Sequence, residues 1–193
     1  MRNILKNRTA LSTVVTTLII LVVSVLLAGV VTYFAINVTS TRVQEENLNV
    51  MYQHVWFSTA PTFGGAEAAV MIVNTGGRDV VLNKIALRGQ QVPWADVYVY
   101  TPGTTETLNE LTYANQTLGS APTVNLPMTG NFSTTAAGSP VVLKSASTIV
   151  IYLVSDTSFS PGSVTVNDVG LTIAISIFTS QAIYYKETNI NAV

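Results

Sequence analysis

Leu18-Ile-Ile-Leu-Val-Val-Ser-Val-Leu-Leu-Ala-Gly-Val-Val31 is almost continuously apolar, and its reading decides how the rest of the chain is organised. Outward from it, no charged residue occurs between Arg8 and Arg42. Val14 to Ile36 supplies 23 residues interrupted only by Thr16, Thr17, Ser24, Gly29, Thr32 and Tyr33. About 20 such residues cross a ~30 Å hydrocarbon core, and hydroxyls that bond back to the helix, or a single glycine, are tolerated there. The segment is therefore a membrane span. Arg2, Lys6 and Arg8 precede it without an acidic residue. The positive-inside rule keeps that end cytoplasmic and sends everything after residue 40 outside. An ordinary secretory signal has a shorter apolar region ending in a small-x-small cleavage site. Here the distal end reads Tyr33-Phe-Ala-Ile-Asn-Val-Thr39, which lacks that site.

The whole chain has 193 residues, 48% of them hydrophobic and only 10% charged. Its mean hydropathy is +0.43. Globular chains carry about 25% charged residues, so much of this surface is hidden from water. Disorder is excluded, because it needs low hydrophobicity and high net charge. The absence of cysteine excludes a disulfide scaffold and a thiolate metal site. A formal net charge of −1, with no basic stripe after residue 8, gives no footing for phosphate neutralisation, so nucleic acid is not expected as a primary ligand.

The helical pattern continues past the membrane length. Thr41 to Tyr52 contains no Gly or Pro, and Val43, Leu48, Met51 and Val55 form an approximate stripe. This predicts one hydrophobic helix over residues 11–55, with Val14, Leu18, Leu21, Val25, Leu27, Val31 and Phe34 on its body. From Leu11 to Tyr52 such a helix is roughly 60 Å long, about twice the bilayer core. Residues 56–67, with Trp56, Phe57 and Phe63, read as a junction. Residues 68–193 then carry strand periodicity. Candidate strands are 68–74, 80–87, 97–100, 141–143, 148–154, 163–166, 171–178 and 182–186, separated by turns such as Asn74-Thr-Gly-Gly77, Pro102-Gly103 and Pro161-Gly162. In Leu171-Thr-Ile-Ala-Ile-Ser-Ile-Phe178 the aliphatic residues alternate with Thr, Ala and Ser, the mark of a half-buried strand. Eight short strands without a further helix predict an all-β immunoglobulin-like sandwich. Residues 102–140 are rich in Thr, Asn, Gly and Pro and read as an elaborated surface loop, the candidate outward-facing patch.

The N-terminal layout resembles the archaeal type IV pilins. The residues that carry the resemblance are a short basic leader ending Arg8-Thr-Ala10, then Leu11-Ser-Thr-Val-Val-Thr-Thr-Leu-Ile-Ile20. Val70-Met-Ile-Val-Asn-Thr-Gly-Gly-Arg-Asp-Val-Val-Leu82 is similar to the strand, turn and strand that open the extracellular domain in archaeal pilins and archaellins. The resemblance implies a class III signal peptide over residues 1–10, cut between Ala10 and Leu11 by a membrane-embedded prepilin peptidase. It further implies assembly by an ATPase and a polytopic membrane platform into a homopolymer whose core is the helix. Thr9 separates the basic residue from the small one, Thr13 stands where Pro is frequent, and Val15 stands where bacterial pilins carry Glu. Archaellins, subunits of the motility filament, share the plan but begin their apolar segment with a Gly-Ile-Gly-Thr-Leu-like run, which Leu11-Ser-Thr-Val-Val15 does not match. Loss of Arg2, Lys6 and Arg8 with the leader leaves six basic against ten acidic residues, a formal charge of −4.

Nothing in the sequence supports catalysis, and no cofactor or metal is expected. The single His54, in Tyr52-Gln-His-Val-Trp56, has no Gly-x-Ser-x-Gly motif to accompany it. Asp79, Asp96, Asp156 and Asp168 stand alone at turns or strand ends, where Asp caps backbone N–H groups. Arg42, Glu45 and Glu46 are spaced for local helical pairing. Four Asn-x-Ser/Thr sequons occur, at Asn7, Asn37, Asn115 and Asn131. Topology sets aside Asn7 in the leader and Asn37 on the helix, leaving Asn115 and Asn131 as candidate glycosylation sites. Two function classes stay open: a filament subunit at the cell surface, adhesive or archaellin-like, and a single-pass anchored extracellular module that binds a ligand.

Overall fold

The computed structural model describes residues 3–43, 45–60, 63–101, 110–114, 123–126, 130–134, 139–154 and 164–193. The chain divides into two units, Met1–Gln44 and Glu45–Val193. The first is a single helix, α1 (Asn3–Val43), of 41 residues. The second is a mixed β-sheet of strands β1 (Leu48–Ala60), β2 (Phe63–Asn74), β3 (Val80–Leu87), β4 (Gln90–Gln91), β5 (Val97–Tyr100), β6 (Thr123–Leu126), β7 (Gly130–Thr134), β8 (Val141–Leu143), β9 (Thr148–Val154), β10 (Thr172–Thr179) and β11 (Ile183–Ala192).

The helix ends earlier than its apolar stripe suggests. Residues 48–55 belong to β1, so the expected helix over 11–55 is corrected to an end at Val43, and the expected junction over 56–67 lies inside the β1–β2 hairpin. The physical reason is a period of two: Leu48 and Val50 are buried while Asn49 between them is exposed. Pairing with β2 from Leu48↔Asn74 to Ala60↔Phe63 then satisfies one edge of the strand, apart from one bulge. The parity of the alternation changes once. Between Met51 and His54, β1 spends one residue more than β2, and Tyr52 sits there at φ 50. This bulge lets Leu48 and Val50 before it, and Val55 and Phe57 after it, all pack on the same inner face.

The sheet order is β4-β3-β10-β11-β1-β2-β9-β5-β7-β6, with β8 also paired to β3. It is one hydrogen-bonded sheet, a curled half-barrel, in place of the expected immunoglobulin-like pair of sheets. Its two halves meet where β1 and β11 run parallel for three residue pairs, Val55↔Ile190, Trp56↔Asn191 and Phe57↔Ala192. Curling brings the inner faces of both halves together, so Val55, Val70, Ile72 and Ile151 from one share a core with Leu82, Ile175 and Ile177 from the other. Strand β9 is buried at every position, which explains why, after Thr148, Ile149-Val-Ile-Tyr-Leu-Val154 runs without the polar alternation of a half-exposed strand.

Five expected strands, at 80–87, 97–100, 141–143, 148–154 and 171–178, coincide with β3, β5, β8, β9 and β10 to within one residue. Residue 163 of the expected strand at 163–166 lies outside the described residues, and 164–166 form no strand: Val166–Asp168 is a 3-10 turn capped by Thr165. Residues 102–140, expected as a loop, contain the hairpin of β6 and β7, with Asn125 opposite Asn131.

Candidate functional site

The feature with the clearest functional consequence is the surface of α1. Every residue from Leu11 to Thr41 is exposed, and this 31-residue stretch is long and apolar enough to cross a membrane or to act as a signal sequence. Val14, Leu18, Leu21, Val25, Leu27, Val31 and Phe34 expose between 60% and 70% of their surface. Apolar side chains occupy all sides of the helix, the pattern of a helix that must be buried in lipid or in protein. Five of its hydroxyls are satisfied from within. Thr16 Oγ1 donates to the Ser12 carbonyl (2.9 Å), Thr17 to Val14 (2.9 Å), Ser24 to Ile20 (2.6 Å), Thr32 to Ala28 (2.8 Å) and Thr41 to Asn37 (2.9 Å). No water is needed for them in a hydrocarbon environment. Ala10 and Leu11, the expected cleavage pair, lie in continuous helix. Asn115 is outside the described residues, and Asn131 is in β7.

The start of the β unit is pinned by the Asn74-Thr-Gly turn. The backbone amides of Thr75 and Gly76 both donate to the Asn47 carbonyl, at 2.9 and 3.1 Å. Asn74 is buried: its Oδ1 accepts from the Gly76 amide (3.0 Å) and its Nδ2 donates to the Arg78 carbonyl (2.8 Å). A Cβ at residue 76 would sit 2.7 Å from the Glu45 carbonyl oxygen and 2.8 Å from the Asn47 nitrogen, so only glycine allows this approach. Glu46, next in line, accepts a hydrogen bond from the Thr179 hydroxyl.

A second cluster lies on the outer face of β1, β2, β9 and β5. Trp56, Ala69, Met71, Tyr98, Val150 and Tyr152 form it, and Leu111 packs onto it from the segment Glu110–Ala114. Within it stands Glu67, wholly buried. One carboxyl oxygen, Oε1, accepts from the Ala114 amide at 2.7 Å. The other, Oε2, is buried and has no hydrogen-bond partner among the described residues. Desolvation pushes the carboxyl up to about 8, against the smaller opposing effect of the Ala114 hydrogen bond. Burial also raises the Tyr152 and Tyr113 phenols, each with a further push from the Glu67 charge. Tyr152 donates to the Thr112 carbonyl at 2.8 Å. Tyr152→Phe removes that bond while Thr112 remains open to water. It should lower unfolding stability by about 1 kcal/mol, read from the denaturant midpoint of the full chain in detergent micelles.

His54 stacks on Trp56 with ring centroids 5.3 Å apart, and its Nε2 lies 3.8 Å from Glu110 Oε1. Asp79 accepts from the Ser145 amide (2.8 Å). Asp168 caps the Thr165 amide (2.8 Å) and pairs with Arg88 at 2.7 Å. The Arg88 hydrogen bond, more than the Thr165 cap, brings its carboxyl down to about 2. Among the described residues no three His, Asp or Glu side chains gather as a metal site would require. Glu67 is the residue that sequence reading passed over. Its signal was a lone carboxylate inside Gly64-Gly-Ala-Glu-Ala-Ala-Val70, where every neighbour is small or apolar.

No protein-family model and no curated protein matches the sequence. The architecture, a long apolar N-terminal helix followed by a curled β-sheet unit, is consistent with that of pilins.

Proposed function

We propose that this protein is the structural subunit of an extracellular filament of the archaeal type IV pilus kind, serving adhesion or surface attachment. The observation that carries the reading is the surface of α1: apolar on every side, with five of its hydroxyls bonded back to its own backbone, and exposed from Leu11 to Thr41. At 1.5 Å per residue that stretch is about 46 Å long, roughly half as long again as the bilayer core. On this reading the helix holds the precursor in the membrane and afterwards packs against its copies as the filament core, with the curled sheet in the place of the pilins' immunoglobulin-like domain. Lipid is as apolar as a bundle of such helices, so hydrophobicity alone does not extract the subunit. A prepilin peptidase acting at Ala10–Leu11, an energised assembly ATPase and a membrane platform complete the scheme. The protein itself performs no catalysis and takes no cofactor.

The end of α1 at Val43 favours one rival, a single-pass anchored surface module, because it shortens the helix left outside a bilayer. Peptide mapping of the mature N-terminus, together with electron microscopy of material sheared from cells, separates the two. A chain starting at Leu11 and recovered as filaments is expected. A chain that keeps its leader and stays in the membrane fraction without filaments would sink the filament reading.

A further inference from the structure

Glu67 is a buried carboxyl that neither membrane insertion nor polymerisation uses. We propose that Glu110–Ala114 is a pH-responsive strap: it stays seated on the outer face of β1, β2 and β9 while Glu67 holds its proton, and it lifts from that face when Glu67 ionises.

The strap is tied to the sheet along its length. Leu111 is buried among the outer-face residues, Tyr152 holds the Thr112 carbonyl at 2.8 Å, and Glu67 holds the Ala114 amide at 2.7 Å. The last tie is the one whose chemistry changes with pH. A neutral carboxylic acid fits the site, because its carbonyl oxygen accepts from Ala114 and no net charge is buried. An ionised carboxylate does not fit. Its charge would be shared with Oε2, which is buried and has no hydrogen-bond partner among the described residues, and burying a charge without compensation is strongly unfavourable. Lifting the strap is the movement that admits water to that oxygen.

Among the described residues, the groups around Glu67 supply no compensating positive charge. From β9 comes Tyr152, whose hydroxyl donates to the Thr112 carbonyl, and from the strap Tyr113; the Glu67 charge makes both phenols harder to ionise, so both are uncharged groups there. From β1 come Trp56, Ser58 and, further along, His54, which faces the strap's own Glu110 at 3.8 Å. Among the described residues no lysine or arginine shifts the Glu67 carboxyl. The direction of the effect follows by linkage. With the strap down the carboxyl titrates at about 8, far above its usual value of 4.5. With the strap up, water returns it towards that usual value. The seated state therefore binds the proton more tightly: its advantage is greatest in acid, declines as pH rises between those two values, and is lowest above the upper one.

Hydrogen exchange of the Ala114 amide, corrected for the intrinsic pH dependence of exchange, tests this on the full chain in detergent micelles. Protection in the wild type should fall at least about tenfold between about pH 5 and about pH 8.5, and in Glu67→Gln, which keeps the acceptor for Ala114 but cannot ionise, it should stay level. Glu110→Gln, which removes the His54 contact, should retain the wild-type fall. Protection that is level in the wild type, that falls equally in Glu67→Gln, or that becomes level in Glu110→Gln overturns the proposal. Infrared spectra of the wild type alone supply a check independent of any variant. A protonated carboxyl band must survive at about pH 6.5, where ordinary Asp and Glu are ionised, and its absence there equally overturns the proposal.

Discussion

Val25→Asp should abolish filaments and release the chain from the membrane fraction, whereas Val25→Ser should leave both unchanged. Val25 lies near the middle of the exposed apolar stretch and is 63% exposed. An Asp at the centre of a spanning helix costs about 2.5–3.5 kcal/mol of insertion free energy. The contrast with serine is chemical. A serine hydroxyl can donate to the carbonyl one turn back, as Ser24 does to Ile20, and so disappears into the helix. A carboxylate has only acceptor oxygens, and the free groups of the preceding turn are also acceptors, so its charge stays bare in lipid and in a packed helical core alike. Alkaline extraction of membranes and filament yield by shearing provide the readouts. Wild-type yields from Val25→Asp would remove the helix from both roles proposed for it.

Gly76→Val should lower the stability of the β unit by about 2–4 kcal/mol. The new Cβ would meet two backbone atoms, the Glu45 oxygen and the Asn47 nitrogen, at 2.7 and 2.8 Å, and neither can turn aside as a flexible side chain would. Relieving the clash separates residues 45–47 from the turn and removes the two amide bonds to the Asn47 carbonyl. Gly29→Ala is the matched control, since a Cβ there meets nothing within 4 Å. Denaturant unfolding followed by tryptophan emission should show a lowered midpoint for the first and an unchanged one for the second. Equal midpoints would show that the close approach at Gly76 carries no energetic weight.

Much of this architecture is legible in the sequence, and the exceptions have physical causes. The apolar run from Val14 to Ile36 has one reading. Strands β3, β5, β8 and β9 stand out because turn residues bracket short runs rich in β-branched and aromatic side chains. β1 was obscured by its bulge: Leu48 and Val50 before Tyr52, and Val55 after Gln53 and His54, change parity on the way and so imitate a loose helical stripe. Closure into one curled sheet depends on which strands meet, and the β1–β11 pairing joins positions far apart in the chain. No local period encodes that. Glu67 illustrates the same limit at a single residue. Its position amid small apolar neighbours is visible, but the burial that alters its acidity comes from Leu111, Tyr113 and Ala114 on a distant segment.

The parallel seam between β1 and β11 also sets an order of events. Among the described residues β1 is the first strand and β11 the last, so the seam at Val55–Phe57 and Ile190–Ala192 cannot form until β11 has been made. Until then β1 has an unpaired edge and half of its inner face lacks a partner, the condition under which nascent chains self-associate. Contacts between such remote segments also slow folding. The β unit therefore cannot close before β11 is made, and until then the incomplete sheet has to be kept from pairing with other chains.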